Sequence, residues 1–189
     1  PGQTAGVLIK PKTEIELAVL QWGLLPFWAK DLSLASHTIN ARLDTVDSKP
    51  SFRAAFKTRH AVVPMAGYYE WQATAQGKQP YYFQPERGVD SLWAVALWEP
   101  RHALQTDASS GTFTLITQPA EGLPASIHNR MPILLEERDV DKWLSLKPGP
   151  SLPFLLTRTL PALKVYPVAK RVNAARDDDA GLIEALPMA

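Results

Sequence analysis

Cysteine is absent from the 189 residues, which removes disulfides, thiolate metal sites and thiol nucleophiles from anything this stretch of chain does alone. Charge of one sign is absent too: 20 Lys and Arg stand against 19 Asp and Glu, a net of +1, so no polyanion-coating tail is present. No apolar run reaches the ~20 residues that span a bilayer. The opening Pro1-Gly2-Gln3-Thr4 lacks the charged and apolar regions of a signal peptide, so a cytoplasmic location is the expectation. The sequence has no G-x-G-x-x-G, no Walker-type glycine loop, no G-x-S-x-G elbow and no H-E-x-x-H. Its four histidines, His37, His60, His102 and His128, are scattered with no carboxylate at ligand spacing, so no metal and no other cofactor is expected.

What is present is ordinary globular material. Apolar residues make up 46% and charged residues 21%, and a chain of this length buries roughly 70% of its unfolded surface, enough for one core without staples. One domain over 1–189 is expected. The 17 prolines exceed the usual share of about 5% and fall between short apolar runs, so short elements joined by many turns follow. Runs rich in β-branched and aromatic residues predict strands at 6–10, 15–22, 61–64, 68–72, 81–84, 92–98, 112–117, 132–135 and 164–168. Residues 74–79 have turn composition between two aromatic runs, which makes 68–83 a hairpin. A helix is expected at 48–57, where Ser48 offers a cap, Pro50 suits the first turn, and Phe52 and Phe56 lie four apart. A second is expected at 136–146, acidic at its start with Val140, Trp143 and Leu144 at helical spacing, and a short third at 180–186. The class is α+β, built on an antiparallel sheet.

Three stretches offer side chains with chemistry. In Thr38-Ile39-Asn40-Ala41-Arg42, Asn40 and Arg42 are two apart, so extended backbone points both to one face, where they could hold a carbonyl or a phosphate. An Asn in a turn and an Arg on the surface is the other reading. In Gly67-Tyr68-Tyr69-Glu70-Trp71-Gln72, alternation separates Tyr68, Glu70 and Gln72 from Tyr69 and Trp71. If the Glu70 face lines a pocket, desolvation raises its pKa toward that of a general acid/base; if the face is solvated, Glu70 is a surface residue. In Ser126-Ile127-His128-Asn129-Arg130-Met131-Pro132, His128 can exchange a proton near neutral pH and Arg130 can hold an anion, or both are simply solvated.

Between Ser48 and Tyr69 the only charges are Lys49, Arg53, Lys57 and Arg59, four cations in a chain of net +1. With Trp28 in the turn Leu25-Pro26-Phe27-Trp28-Ala29-Lys30, these offer cations for phosphates and a ring for stacking on bases. About four phosphate contacts would give a salt slope near −3 on a single strand. A solvated helix face and a core tryptophan account equally well for the composition.

Read together and in order, several blocks resemble the SOS-response-associated peptidase (SRAP) family. They are Trp22-Gly23-Leu24-Leu25-Pro26-Phe27-Trp28, Ile39-Asn40-Ala41-Arg42, Val63-Pro64-Met65-Ala66-Gly67-Tyr68-Tyr69-Glu70-Trp71, the block from Ser126 to Pro132, and Val165-Tyr166-Pro167-Val168 with Val172-Asn173. The resemblance implies an α+β fold around a barrel-like, mainly antiparallel sheet with a few flanking helices. It implies a sensor of abasic sites in single-stranded DNA that forms a covalent thiazolidine cross-link through an N-terminal cysteine and removes its own initiator methionine. By the same resemblance Asn40 positions the DNA or the aldehyde end, Glu70 is the acid/base near the N-terminal amine, and His128 handles protons on the opened sugar. Arg42 and Arg130 hold flanking phosphates, Trp28 stacks where the strand bends, and Thr117 is a further DNA contact; the basic run adds Arg53 and Arg59 as DNA-binding candidates. The expected partner is single-stranded DNA with abasic sites, with no membrane and no metal, and the expected state is a monomer.

The chain departs from the family pattern at the nucleophile, since it has no cysteine. Pro1-Gly2-Gln3 resembles a stretch inside the family's sequence, so the expectation is a preceding segment that carries the cysteine. The alternative is a natural variant acting as a non-catalytic single-stranded DNA-binding module.

Overall fold

The computed structural model describes residues 2–86, 90–174 and 176–187. In chain order the first elements are β1 (Thr4–Ile9), β2 (Glu16–Trp22), β3 (Asn40–Arg42), α1 (Arg53–Thr58), β4 (His60–Met65), β5 (Tyr68–Thr74) and β6 (Gly77–Pro85). They are followed by β7 (Leu92–Pro100), β8 (Gly111–Pro119), β9 (Arg130–Pro132), β10 (Leu134–Leu135), α2 (Glu137–Leu144), α3 (Ser151–Thr157) and β11 (Leu163–Pro167). Two compact units result. One comprises Pro1–Pro64, Trp93–Gln118 and Pro132–Leu160; the other comprises Met65–Leu92, Pro119–Met131 and Pro161–Ala189.

The first unit holds a closed five-strand barrel. Its strands run β7-β4-β1-β2-β8, and antiparallel pairing of β7 with β8, from Ala96↔Leu115 to Pro100↔Gly111, closes the ring. Most pairings are antiparallel, including β1 with β2 from Thr4↔Gln21 to Ile9↔Glu16. Two short ones, β2 with β8 and β3 with β8, are parallel. Alternation along these strands sends Val62, Val95, Leu97 and Ile116 into a core shared with Phe52, Phe56, Val140, Trp143 and Leu155 from the helices. Trp143 is fully buried, and its indole N–H donates to the Ala61 carbonyl at 2.9 Å, so its one polar atom is satisfied. His60, 3% exposed, packs at 4.1 Å between ring centroids on Trp143, with Nε2 3.0 Å from both the Phe56 carbonyl and Ser151 Oγ.

The helix expected at 48–57 forms only from Arg53, and Ser48 does not cap it. The Ser48 hydroxyl bonds back to the Thr45 carbonyl at 3.1 Å, and Phe52 holds the cap position without a side-chain bond. Pro50 disfavours helical backbone at Lys49, so 49–52 turn before the helix starts. Its apolar face is as expected, with Phe52, Ala55 and Phe56 buried and Arg53 and Lys57 exposed. Helix α2 matches its expected face. Helix α3 is not among the helices expected from sequence, and it carries two prolines, Pro150 and Pro153. They sit at the cap and in the first turn, where a backbone N–H would have no acceptor within the helix. β3 was likewise not among the expected strands, and the single strand expected at 132–135 is divided between β9 and β10 around Ile133.

The second unit is built on the antiparallel sheet β11-β6-β5. The expected hairpin forms in the register Tyr68↔Phe83, Glu70↔Tyr81, Thr74↔Gly77, which shrinks the connecting turn to Ala75-Gln76. Gly77 takes φ +99°, a region that a side chain rarely adopts. Tyr68 stacks on Phe83 at 4.6 Å, and Tyr82 packs against Tyr69 at 5.0 Å and Tyr166 at 6.0 Å, so aromatic rings hold the three strands together. The segment 180–186 is a 3-10 turn at Ala180–Ile183, capped by the Asp179 carboxylate accepting from Gly181 N–H at 2.9 Å. Ala185 then bridges to Val168, and extended backbone there replaces the helix expected beyond Ile183.

Candidate functional site

Glu70 lies mid-way along β5, an edge strand of its sheet. His128 lies on the loop after the 3-10 turn Leu123–Ser126, and the fold ties that loop to β5 two residues beyond Glu70. The Gln72 amide donates to the Ser126 carbonyl at 2.8 Å while its oxygen accepts from the Tyr81 hydroxyl at 3.2 Å, which fixes the amide's orientation. The His128 N–H donates to the Pro124 carbonyl at 3.1 Å and closes the turn. These bonds bring His128 Nδ1 to 3.4 Å from Glu70 Oε2.

The pair is unequally solvated, with the Glu70 side chain 24% exposed and that of His128 41%. Burial pushes the Glu70 carboxyl above the ordinary carboxylate range, opposed by the His128 charge and by the Trp71 backbone N–H. His128 Nδ1 stands 3.2 Å from both the backbone nitrogen and the carbonyl oxygen of Arg130. A bare Nδ1 accepts from that N–H; a protonated Nδ1 donates to Glu70 or to the carbonyl. The histidine ring nitrogen therefore has a backbone partner as well as the Glu70 carboxylate within reach, and the two side chains differ in environment. Burial, then the Glu70 charge, drives the Tyr68 phenol far above its ordinary value.

A cavity of about 670 Å³ opens on this pair, lined by Glu70, Trp71, Ala73, Lys78, Ile127, His128, Asn129 and Asn173. Because β5 is an edge strand, the cavity reaches side chains of both alternation registers, Glu70 from one and Trp71 and Ala73 from the other. The Trp71 indole N–H donates to Asn173 Oδ1 at 2.8 Å and fixes that wall. Sequence reasoning named Glu70 and His128 but not Lys78, Asn129 or Asn173 as cavity residues. The signal for Lys78 lay in the hairpin: a two-residue turn folds it back opposite Ala73.

The remaining sequence candidates, apart from Arg130, belong to the first unit. Asn40 and Arg42 do share an exposed face, with Ala41 between them fully buried. Arg42 forms a fork with Asp44, Nε to Oδ1 at 3.2 Å and Nη2 to Oδ2 at 3.1 Å. Thr117 stands opposite Arg42 in the β3–β8 register, its hydroxyl 3.4 Å from the Ala41 carbonyl. Trp28 is 43% exposed beside Phe27 at 76%, so it is not core. Arg53 projects from the exposed face of α1. Arg59 donates to the buried Glu99 carboxylate at 2.5 Å, so its charge faces a carboxylate. Arg130, half-buried, begins β9. Among the described residues no group of three His, Cys, Asp or Glu could hold a metal ion, and no helix is long and apolar enough to cross a membrane.

The sequence pattern of the SOS response associated peptidase (SRAP) family matches residues 1–175. The chain is 29% identical over 189 residues to the abasic site processing protein YoaM of Bacillus subtilis (strain 168), an alignment spanning 98% of this chain and 82% of that protein. It is 30% identical over 188 residues to the abasic site processing protein YoqW of the same organism, spanning 97% and 83%. A crystal structure of a protein from Bacteroides thetaiotaomicron superposes with a TM-score of 0.83 at 25% identity, covering 98% of this chain and 82% of that one.

Proposed function

From the premise that the chain belongs to the SOS response associated peptidase (SRAP) family, we propose that it processes abasic sites in DNA, and specifically in single strands. The observation that carries this reading is the Glu70–His128 pair, 3.4 Å apart at one cavity and differently solvated. An abasic sugar opens to an aldehyde. In the proposed reaction an N-terminal α-amine, with a pKa near roughly 7.7–8, is partly neutral at pH 7 and adds to that aldehyde. Loss of water gives a Schiff base, and a thiol adds across the C=N bond to close a thiazolidine. Glu70, with its raised pKa, would give the proton that the departing hydroxyl needs, and His128 would exchange protons with the opened sugar. Asn40 would orient the DNA, Arg42 and Arg130 would hold phosphates, and Trp28 would stack on a base. Removal of an initiator methionine, which exposes the amine and thiol, belongs to the same proposal.

The exposed Trp28 beside Phe27 and the exposed Arg53 on α1 favour one second reading, a module that binds single-stranded DNA without reacting. A denaturing gel separates the two. The chain, and the chain with its gene's upstream residues, are each incubated with a single strand carrying one abasic site. A shifted band that requires the upstream residues, and that slows in Glu70→Gln, supports covalent processing. Its pH profile should carry a limb above the ordinary carboxylate range that Glu70→Gln removes. Retained binding with no band in either protein supports the second reading.

A further inference from the structure

Besides Glu70 and His128, the cavity lining includes three donor-bearing side chains. Lys78 comes from the β5–β6 hairpin, Asn129 follows His128, and Asn173 ends the 3-10 turn Lys170–Asn173. An indole nitrogen can only donate, so the 2.8 Å bond from Trp71 to Asn173 fixes which end of the Asn173 amide is oxygen. Both hydrogens of Asn173 Nδ2 are therefore left over. Among the described residues, the Lys78 ammonium, the Asn129 amide and Asn173 Nδ2 have no hydrogen-bond or ion-pair partner within the chain, and all three residues are exposed to the cavity's solvent. One cation and two amide donors face a space of about 670 Å³ whose only carboxylate is Glu70, already opposed by His128.

We propose that Lys78, Asn129 and Asn173 form an anion subsite that receives a phosphodiester next to the reacting sugar, with Lys78 as its charge. This rests on the reading of Glu70 and His128 as the abasic-site pair. A sugar held at Glu70 and His128 carries a phosphate on each side, and a phosphate accepts from an ammonium and from amide N–H groups together. The Trp71–Asn173 bond orients the amide, so the donor is in place before the ligand arrives.

The test couples a change in the protein to a change in the ligand. Binding is measured by fluorescence anisotropy with single strands carrying one tetrahydrofuran abasic analogue. One probe has natural linkages, and two others replace the linkage on one side of the analogue with an uncharged methylphosphonate. The parent protein should lose about tenfold in affinity on one of the two neutral probes. Lys78→Ala should show that loss on the natural probe and little further loss on the neutral one, with its log–log salt slope reduced by about 0.7. Lys78→Arg should restore binding. Asn173→Asp keeps an oxygen for the Trp71 indole but replaces the amide donors with a carboxylate oxygen, so it should weaken the natural probe more than the neutral one. Equal losses on neutralisation in the parent and Lys78→Ala, with abasic binding intact, overturn the subsite and leave the abasic-site reading standing. Failure of the parent to bind any of the probes overturns both.

Discussion

Gly67, three residues before Glu70, is where a single methyl group should disturb both fold and site. A Cβ there would collide with the Phe83 carbonyl oxygen and with Cζ and the hydroxyl of Tyr82, all inside the 3.0 Å that real Cβ atoms essentially never breach. The carbonyl belongs to β6, which is paired on both sides by β5 and β11. The Tyr82 ring is 5% exposed and wedged between Tyr69 and Tyr166, so neither obstacle is a free side-chain end. Relief requires β5 to lift from β6 by an amount on the order of 1 Å, and overpacking of this kind costs about 1–3 kcal/mol. For a chain of this size each kcal/mol lowers Tm by about 2–4 °C, so Gly67→Ala should lose about 2–12 °C. The same displacement carries Glu70 away from His128, and a misplacement on the order of 1 Å costs about 10²-fold in rate. Thermal unfolding followed by near-ultraviolet circular dichroism reads the first effect, and cross-link formation by the chain with its upstream residues reads the second. Gly77→Ala is the control, because nothing lies within 4 Å of its Cβ position and only its φ of +99° resists the side chain. That strain costs about 1–2 kcal/mol. A Gly67→Ala protein that melts with the parent and cross-links at the parent's rate would refute the close-approach argument.

Arg59→Ala leaves the Glu99 carboxylate, in a residue 3% exposed, without its partner. The expected loss is at the lower end of about 3–5 kcal/mol because the arginine is partly solvated, with partial recovery in Arg59→Ala/Glu99→Gln, read by urea unfolding. Arg53→Ala, on the exposed face of α1, should stay within about 0.5 kcal/mol of the parent, so of these two only Arg53 tests DNA contact without a change in stability. Burial holds the His60 pKa below 6.5. The unfolded chain therefore takes up a proton at a pH where the folded chain does not, and stability is lost as pH falls below 6.5. Unfolding free energies across that range should fall less steeply in His60→Gln. Trp143→Phe removes the indole donor from the buried Ala61 carbonyl and should cost about 1–3 kcal/mol, read by urea unfolding.

Local chemistry made part of this protein legible from its residues alone. The aromatic hairpin at 68–83 follows from period-two alternation around a turn, and the buried face of α2 follows from Val140, Trp143 and Leu144 at helical spacing, because both patterns are settled by neighbours in the chain. The common face of Asn40 and Arg42 is of the same kind. Helix α3 lay outside those patterns: it carries Pro150 and Pro153 at its start, where the first turn does not need their missing N–H.

The chemistry of the site was decided elsewhere. That Glu70 is desolvated and meets a histidine depends on Gln72 gripping the Ser126 carbonyl, a bond between residues 54 positions apart. That Arg59 faces a buried carboxylate, whereas Arg53 faces solvent, depends on Glu99, 40 positions away. That Lys78 belongs to a cavity depends on the hairpin folding back beside Asn173. Composition and spacing set which groups the chain has and, over a few residues, which way they face. Protonation, pairing and desolvation depend on distances and solvent access between distant segments, and those exist only once the tertiary structure has formed.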